Sequence, residues 1–210
     1  MKYQFMNFKE HYDRVGKKEI KTINRTDRIR YETFAKMIKD GSSVLDIGSR
    51  EGELKNFLGK KCKYIAADIS KPRIDRLLKK GIQAYCFDIC EQLPVELENK
   101  FDYVVLGEVI EHLTRPYDAL LNIKKALNNK GILIGSTPNL YSLNRMLSRL
   151  IGMGPDNYNQ EHIIAFDVVE LKNMLKYAGF KVLMIKRSTL MYMPIDTFFG
   201  WHIFFKAQKY

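Results

Sequence analysis

Three aspartates of this chain follow predicted strands at nearly regular intervals, and a glycine-bearing turn comes after the first of them. Asp46 lies in Val44–Gly52, a segment that predicts a buried strand, a turn and the start of a helix. Such a turn brings backbone N–H groups and a helix N-terminus close to a ligand. Asp68 comes 22 residues later, and Asp88 follows after 20 more. A carboxylate at the second strand end suits ribose hydroxyls, and one at the third can accept a hydrogen bond from an amine such as that of adenine.

Arg50 occupies the middle of this turn, where a nucleotide-binding loop usually has glycine. A side chain adds bulk at this point, and a positive φ is costly for any residue other than glycine. The side chain has three possible placements: it turns away from the ligand, contacts it or blocks it. Because the other positions of the turn are intact, we expect the ligand to bind.

Strands and helices alternate along the chain, and they must position these residues. Predicted strands cover Val44–Ile47, Tyr64–Asp68, Ile82–Phe87, Phe101–Leu106, Ile132–Gly135, Phe180–Lys186 and Trp201–Ala207. Predicted helices cover Ile20–Ile38, Glu53–Leu58, Ser70–Lys80, Pro116–Asn128, Leu140–Leu150 and Asp167–Tyr177. The alternation predicts an α/β fold, a Rossmann-like seven-stranded and mostly parallel sheet with helices on both faces. Such sheets bind ligands at the carboxyl ends of their strands.

The length of 210 residues suits a single domain with one sizeable core. We divide it into an N-terminal helical cap at residues 1–40 and a Rossmann-like core at residues 41–210. An insertion on the substrate side is predicted at about residues 138–166. The segments Ile151–His162 and Leu190–Gly200 are expected to shape the acceptor pocket.

The net charge of +11 is concentrated at the two ends of the chain, with +5 in residues 1–40 and +4 in residues 141–210. A basic surface can attract nucleic acid, an anionic membrane or an anionic small molecule, or it can simply be solvated. Three cysteines form no disulfide framework, which indicates a reducing cytoplasm. Met1–Glu10 has no apolar run typical of a signal peptide, and no stretch is long enough to span a membrane.

Taken as a set, these motifs resemble those of class I S-adenosylmethionine-dependent methyltransferases. The five matching segments are Val44–Gly52, Ala66–Ser70, Phe87–Ile89, Phe101–Leu113 and Gly131–Asn139. Glu161–Phe166 and the helix end at Tyr177–Phe180 complete a subgroup pattern. It is similar to ubiquinone-biosynthesis O-methyltransferases and to methyltransferases of surface-glycan clusters. The resemblance spans about residues 40–187.

The resemblance implies an enzyme that uses S-adenosylmethionine and releases S-adenosylhomocysteine. The methyl group would pass to an oxygen of a small-molecule, glycan-linked or lipid-linked acceptor. Much of this catalysis is positioning, since the methyl group is already activated. The implied cofactor-binding residues are Asp46, Gly48, Ser49, Arg50, Gly52, Asp68, Ile69, Asp88, Ile89, Gly107 and Glu108.

His112 is the predicted catalytic residue, because a neutral imidazole can take a proton from a hydroxyl acceptor near neutral pH. The alternative is that His112 only packs or caps the local helix. His162 could line the acceptor pocket, whereas His11 and His202 have no supporting context. Glu108 is expected to contact the methionine part of the cofactor. The sequence has no serine triad and no phosphate-loop lysine, and we predict no metal site.

Two other functions stay open at this point. The basic ends allow an RNA-modifying methyltransferase, although no RNA-binding module and no Asn/Asp-Pro-Pro-Tyr/Phe tetrapeptide follows the fourth strand. Because Arg50 replaces a glycine of the cofactor turn, the chain could also be a non-catalytic binding protein with a methyltransferase fold. The segment Phe5–Arg14 resembles the piece that covers the cofactor in related enzymes, with an ordinary surface helix as the alternative. The sequence does not predict the oligomeric state.

Overall fold

The computed structural model describes residues 7–18, 22–142, 146–147, 150, 161–188 and 200–210. Of the helix predicted at 140–150, residues 146, 147 and 150 are helical, and residues 143–145 and 148–149 lie outside the described residues. Most of the two predicted pocket segments, 151–162 and 190–200, also lies outside them. Within the described ranges, no helix is long and apolar enough to cross a membrane.

Strands and helices alternate much as the sequence predicts. The strands are β1 (Ser43–Ile47), β2 (Lys63–Asp68), β3 (Ala84–Cys86), β4 (Phe101–Gly107), β5 (Leu127–Pro138), β6 (Phe180–Ser188) and β7 (His202–Lys209). The helices are α1 (Phe8–Lys18), α2 (Arg25–Met37), α3 (Lys71–Lys79), α4 (Pro116–Ala126) and α5 (Val168–Tyr177). Short 3₁₀ helices cover Glu53–Phe57, Val95–Leu97 and Ile110–His112.

The seven strands form one sheet in the order β3-β2-β1-β4-β5-β7-β6. Strands β1 to β5 are all parallel to one another, and β7 runs antiparallel between β5 and β6. This arrangement confirms the predicted Rossmann-like, mostly parallel sheet. The strand order reverses between β1 and β4, so the crevice at their carboxyl ends is the expected ligand position.

The sheet is buried on both faces, which explains the unbroken apolar run in β4. Val104 and Leu106 pack with Leu120 of α4 and Leu171 of α5 in one core cluster. Residues whose side chains point to the other face of the sheet, such as Val105, pack in a second core cluster with side chains of α2 and α3. Alternate residues of a strand point to opposite faces, so the stretch Tyr103–Leu106, which is covered on both faces, is apolar at every position.

Predicted and observed elements differ most clearly in three places. The helix predicted at Ile20–Ile38 begins only at Arg25 in the described residues. Strand β5 begins at Leu127, in the stretch predicted to be the end of a helix and a turn, because Leu127 pairs with Phe101. The segment predicted as a helix at Glu53–Leu58 is a 3₁₀ helix. Pairing with a neighbouring strand depends on tertiary context, and local composition does not report it.

Candidate active site

A cavity of about 530 Å³ opens at the carboxyl ends of β1, β2 and β4. The predicted site residues that line it are Asp46, Gly48, Ser49, Arg50, Asp68, Ile69, Asp88, Ile89, Gly107, Glu108 and His112. Gly52 does not line the cavity. A side chain at Gly52 would come within 2.8 Å of Leu77, so this glycine allows the turn to pack against α3. The strand ends therefore bring the other predicted residues together.

Backbone hydrogen bonds tie the glycine turn to the end of β2. The N–H groups of Gly48 and Ser49 both donate to the Ala67 carbonyl oxygen, at 2.8 and 3.1 Å. Gly48 has a φ of +70°, and a Cβ atom there would lie 2.3 Å from the Val109 side chain. Only glycine combines this conformation with this close approach. These contacts fix the backbone of the turn at the edge of the cavity.

Arg50 adopts the left-handed conformation that the turn requires, with a φ of +50°. This conformation costs a non-glycine residue roughly 1 kcal/mol. The guanidinium crosses toward α2, where its Nη1 lies 3.7 Å from an oxygen of Asp27. The backbone N–H donates to Asp68 Oδ2 at 3.2 Å. Arg50 therefore joins the turn to both α2 and the second carboxylate.

Asp68 is buried at the end of β2 and accepts several hydrogen bonds. Its Oδ1 accepts from the Ser70 N–H at 2.9 Å, and its Oδ2 accepts from Arg50. Arg73 on α3 forms a longer ion pair with Oδ2, at 3.5 Å. Burial raises the pKa of Asp68, and the Arg73 charge opposes that shift. Sequence reasoning missed Arg73, although its place one turn into the helix after Asp68 was a usable signal.

Asp46 is buried beneath the turn and accepts a hydrogen bond from the Tyr64 hydroxyl at 2.7 Å. Burial raises the pKa of Asp46 from 3.8 to about 7, while the Tyr64 hydrogen bond acts in the opposite direction. Between these two pH values, the folded protein holds a proton that the unfolded chain has released. The free energy of unfolding contributed by this group therefore falls as the pH rises from about 4 to about 7.

We expect Asp46→Asn to make the cofactor-free protein more stable than the wild type at pH 8, by on the order of 3 kcal/mol. The amide cannot ionise and still offers an oxygen to the Tyr64 hydroxyl. Near pH 4 the two proteins should have similar stability. Urea unfolding at the two pH values measures the difference, and a wild-type advantage at pH 8 would contradict this assignment.

Asp102, at the amino end of β4, is a control whose pKa is shifted in the direction opposite to that of Asp46. Burial alone would raise its pKa, but hydrogen bonds from Ser43 and Asn128 lower the pKa overall. The ionised form therefore stabilises the folded state above the pH at which the unfolded group titrates. Asp102→Asn should lose stability at pH 8, and the loss should shrink as the pH falls.

Asp88 organises the loop after β3. Its Oδ1 accepts a hydrogen bond from the Cys90 N–H at 2.8 Å, which fixes the carboxylate at the cavity. Ile69 and Ile89 line the cavity beside the second and third carboxylates. The combination of an acidic group and apolar side chains can hold a flat polar ring such as adenine.

The end of β4 brings Gly107 and Glu108 to the cavity. A Cβ atom on Gly107 would lie 2.8 Å from the Phe34 ring, so the glycine admits α2 to this position. Glu108 has a φ of +55° and accepts a hydrogen bond from the Ser136 hydroxyl at 2.6 Å. Its other oxygen lies 3.5 Å from His202 Nε2. His202, which had no context in the sequence, therefore contacts a predicted cofactor residue.

His112 is oriented by the chain segment that carries His162. Because a carbonyl oxygen can only accept, the Nδ1–H of His112 donates to the Glu161 carbonyl oxygen at 2.9 Å, and in the neutral ring the lone pair is then on Nε2. The rings of His112 and His162 lie edge to face, with centroids 4.8 Å apart. Both side chains line the cavity. A histidine held in this tautomer can accept a proton at Nε2.

Glu111 is buried beside His112, and sequence reasoning assigned it no role. Its Oε2 accepts a hydrogen bond from the Thr137 hydroxyl at 3.1 Å. Burial raises the pKa of Glu111 well above its ordinary value, and the negative charge of Glu108 adds to this shift. The carboxyl group lines the cavity next to the predicted catalytic residue.

Helix α1 covers one side of the cavity with Phe8, Tyr12 and Val15. It docks on α3, where Asp13 accepts a hydrogen bond from the Lys71 N–H at 2.8 Å. His11 Nε2 lies 3.1 Å from a Glu161 oxygen, so the same helix also contacts the segment with His162. Helix α1 therefore lies along the cavity, and its role in covering a ligand stays a prediction.

The residues at the cavity fit S-adenosylmethionine. Buried carboxylates lie at successive strand ends, and the glycine turn presents its backbone beside them. The hydroxyl of Ser49 is buried and has no hydrogen-bond partner among the described residues, which leaves it for a polar ligand. When bound, the cofactor supplies an activated methyl group on a positively charged sulfur.

A family model described as a methyltransferase domain matches residues 20–185. The chain belongs to this family. It is an S-adenosylmethionine-dependent methyltransferase, and the non-catalytic alternative is set aside. Comparison of the methyltransferase with curated proteins finds no significant match.

Solved structures of methyltransferases share this fold. A Thermotoga maritima S-adenosylmethionine-dependent methyltransferase, described as a possible histamine N-methyltransferase, is 16% identical with a TM-score of 0.68, covering 98% of this chain and 96% of that chain. An Archaeoglobus fulgidus S-adenosylmethionine-dependent methyltransferase is 18% identical with a TM-score of 0.65, covering 89% and 95%. The [4+2]-cyclase SpnF is 15% identical with a TM-score of 0.65, covering 88% and 80%. Because these identities are low and one structure is a cyclase, the likeness shows the fold and leaves the acceptor open.

Proposed function

We propose that this methyltransferase acts on an oxygen of a small-molecule, glycan-linked or lipid-linked acceptor. The observation that carries the proposal is the tautomer of His112, whose Nδ1–H donates to the Glu161 carbonyl and whose Nε2 keeps its lone pair. A hydroxyl acceptor must lose a proton as its oxygen attacks the methyl group. His112 Nε2 would accept that proton while the carbon–sulfur bond breaks and its electron pair stays on sulfur.

The cofactor would span the cavity from the glycine turn to β3. In this proposal Asp68 accepts hydrogen bonds from the ribose hydroxyls, and Asp88 accepts one from the adenine amine. The Arg50 guanidinium would hold the methionine carboxylate, and Glu108 would accept a hydrogen bond from the methionine amino group. The assignment is supported by the positions of these side chains at the cavity. Gly52 contributes through the packing of the turn.

The charge of the cavity favours a neutral or cationic acceptor over nucleic acid. Seven acidic residues and three arginines line it among the described residues, although the whole chain has a net charge of +11. The acidic residues are Asp27, Asp46, Asp68, Asp88, Glu108, Glu111 and Glu161. A phosphate backbone would be repelled from such a surface, because nucleic-acid binding depends on neutralising phosphates with Lys and Arg. The cavity volume also falls within the roughly 300–1,000 Å³ typical of small-molecule sites.

A panel of acceptors tests this proposal. Phenols, catechols, sugars and lipid-linked sugars form the oxygen arm, with histamine and other amines as a second arm and a structured RNA as a third. S-adenosylhomocysteine release and a methyl mass shift of the acceptor are measured with each. Turnover confined to hydroxyl compounds supports the proposal. Turnover confined to amines or to RNA would overturn it.

The predicted domain division, the cytoplasmic location and the role of segments 151–162 and 190–200 in the acceptor pocket stay predictions. For the described part of that region, Glu161 and His162 line the cavity, which supports a substrate-side position of the insertion.

A further inference from the structure

Three potential metal ligands meet at one side of the cavity. Glu111 and His112 close the 3₁₀ helix after β4, and His162 comes from a distant part of the chain. One carboxylate oxygen and one ring nitrogen from each histidine all lie within 4.8 Å of one another. The Glu111 Oε1 atom is 4.0 Å from His112 Nε2. A shift of each side chain by about 1 Å would bring all three atoms within bonding distance of one ion, at about 2.0–2.2 Å.

The Glu111 carboxylate has one oxygen with no hydrogen-bond partner in the part of the chain that the structure describes. Glu111 is 1% exposed, and its Oε2 accepts from the Thr137 hydroxyl. Its Oε1 has no hydrogen-bond partner among the described residues. A buried oxygen without a hydrogen-bond partner destabilises the folded protein. A ligand that binds this oxygen from the cavity would offset the cost.

Hydrogen bonds fix His112 and the neighbouring backbone in position. His112 donates its Nδ1–H to a backbone carbonyl, as histidine ligands of metals commonly do, and its Nε2 faces Glu111. The Glu111 carbonyl oxygen accepts hydrogen bonds from the N–H groups of Ile163 and Ile164, at 2.9 and 3.1 Å. These bonds fix the segment that carries His162 beside the segment that carries the other two residues.

We propose that Glu111, His112 and His162 bind one divalent transition-metal ion at the acceptor side of the cavity. Two imidazoles and one carboxylate suit Zn²⁺, Co²⁺ or Mn²⁺ better than the all-oxygen sites of Mg²⁺ and Ca²⁺. Three protein ligands leave at least one coordination position for water or for the acceptor. The acidic residues of the cavity attract a cation to this position.

This inference rests on the proposed O-methylation and changes the role of one residue in it. An ion at this site would polarise the acceptor hydroxyl and lower its pKa, so that its proton passes to water. The oxygen then forms the new bond to the methyl carbon as the carbon–sulfur bond breaks. His112 Nε2 would hold the ion in place of accepting the proton.

Metal binding to the full chain is the direct test. Protein treated with a chelator and dialysed is titrated with CoCl₂, followed by visible absorption, and with ZnCl₂, followed by calorimetry. We expect one ion per chain. Glu111→Gln and His162→Gln should each weaken binding by at least the 10–100-fold that loss of a supporting metal-site residue costs. His202→Gln is the matched control and should stay within about threefold, because His202 contacts Glu108 outside the three ligands. Retained S-adenosylhomocysteine binding shows that each variant is folded.

Ion affinity that is equal in the wild type, Glu111→Gln and His162→Gln would overturn the site, as would an absence of binding. The two proposals can fail separately. Methylation of a hydroxyl acceptor at full rate after chelator treatment overturns the metal site and leaves O-methylation intact. One ion bound by these residues, with methylation of amines alone, upholds the site and overturns the proposed acceptor.

Discussion

Asp68→Ala is expected to weaken S-adenosylhomocysteine binding by at least about 100-fold. The carboxylate would accept hydrogen bonds from the ribose hydroxyls, and charge-assisted bonds of this kind contribute about 1.5–3 kcal/mol each. The loss of about 3 kcal/mol corresponds to roughly two orders of magnitude in Kd. The substitution also removes the acceptor for the Arg50 and Ser70 N–H groups, which loosens the turn. Titration calorimetry measures the affinity directly.

Two controls separate ribose recognition from a general loss of structure. The melting temperature of the cofactor-free variant shows whether it is folded at the temperature of the titration. Arg50→Gly keeps the backbone N–H that reaches Asp68 and removes only the guanidinium. It should lose about tenfold in S-adenosylhomocysteine affinity, the effect of one charge-assisted hydrogen bond, and nothing for 5′-methylthioadenosine, which has no carboxylate. A folded Asp68→Ala protein with wild-type affinity would contradict the assignment of the cavity.

His112→Ala should lower kcat by about 10²–10⁴-fold and leave S-adenosylhomocysteine affinity within about threefold of the wild type. General bases contribute this much to proton-transfer steps. The same substitution would remove a ligand of the proposed metal ion, so the loss is expected under either role of the imidazole. The ring lies on the acceptor side, next to His162 and Glu111, which explains why cofactor binding should survive. Turnover is measured with the best acceptor from the panel.

The two substitutions act as controls for each other, because one should change affinity for the cofactor and the other should change the rate at saturating cofactor. A purely packing role for His112 predicts a lowered melting temperature with turnover close to the wild-type value. That outcome would remove His112 from the chemistry. A Kd that rises together with the loss of kcat would place His112 on the cofactor side instead.

Most of the site was predictable because its residues follow strands whose ends meet by topology. Asp46, Asp68 and Asp88 each come at or after a strand of a parallel sheet, so a sequence pattern was enough to bring them to one cavity. The alternation of elements likewise predicted the fold, and the match to the methyltransferase family confirmed it. Local spacing carries this information because parallel strands place their carboxyl ends at one edge of the sheet.

Residues that reach the site from a helix face or a distant segment were not predictable in the same way. Asp27 comes from α2, Arg73 from α3 and His202 from β7. Their positions depend on how each element packs on the sheet, and packing is set by many contacts that no short pattern encodes. The tautomer of His112 was not predictable either, since it is fixed by a carbonyl 49 residues away in the sequence.

The sequence alone determined the class of the protein, the Rossmann-like sheet and the carboxylates that line the cavity, because these follow from periodicity and motif spacing. The tertiary structure decided that Arg50 accepts a left-handed backbone and reaches toward Asp27, and that a basic chain has an acidic cavity. It also decided that Glu111, His112 and His162 lie together. Such juxtapositions depend on the distance between side chains remote in sequence, and that distance exists only after the chain has folded.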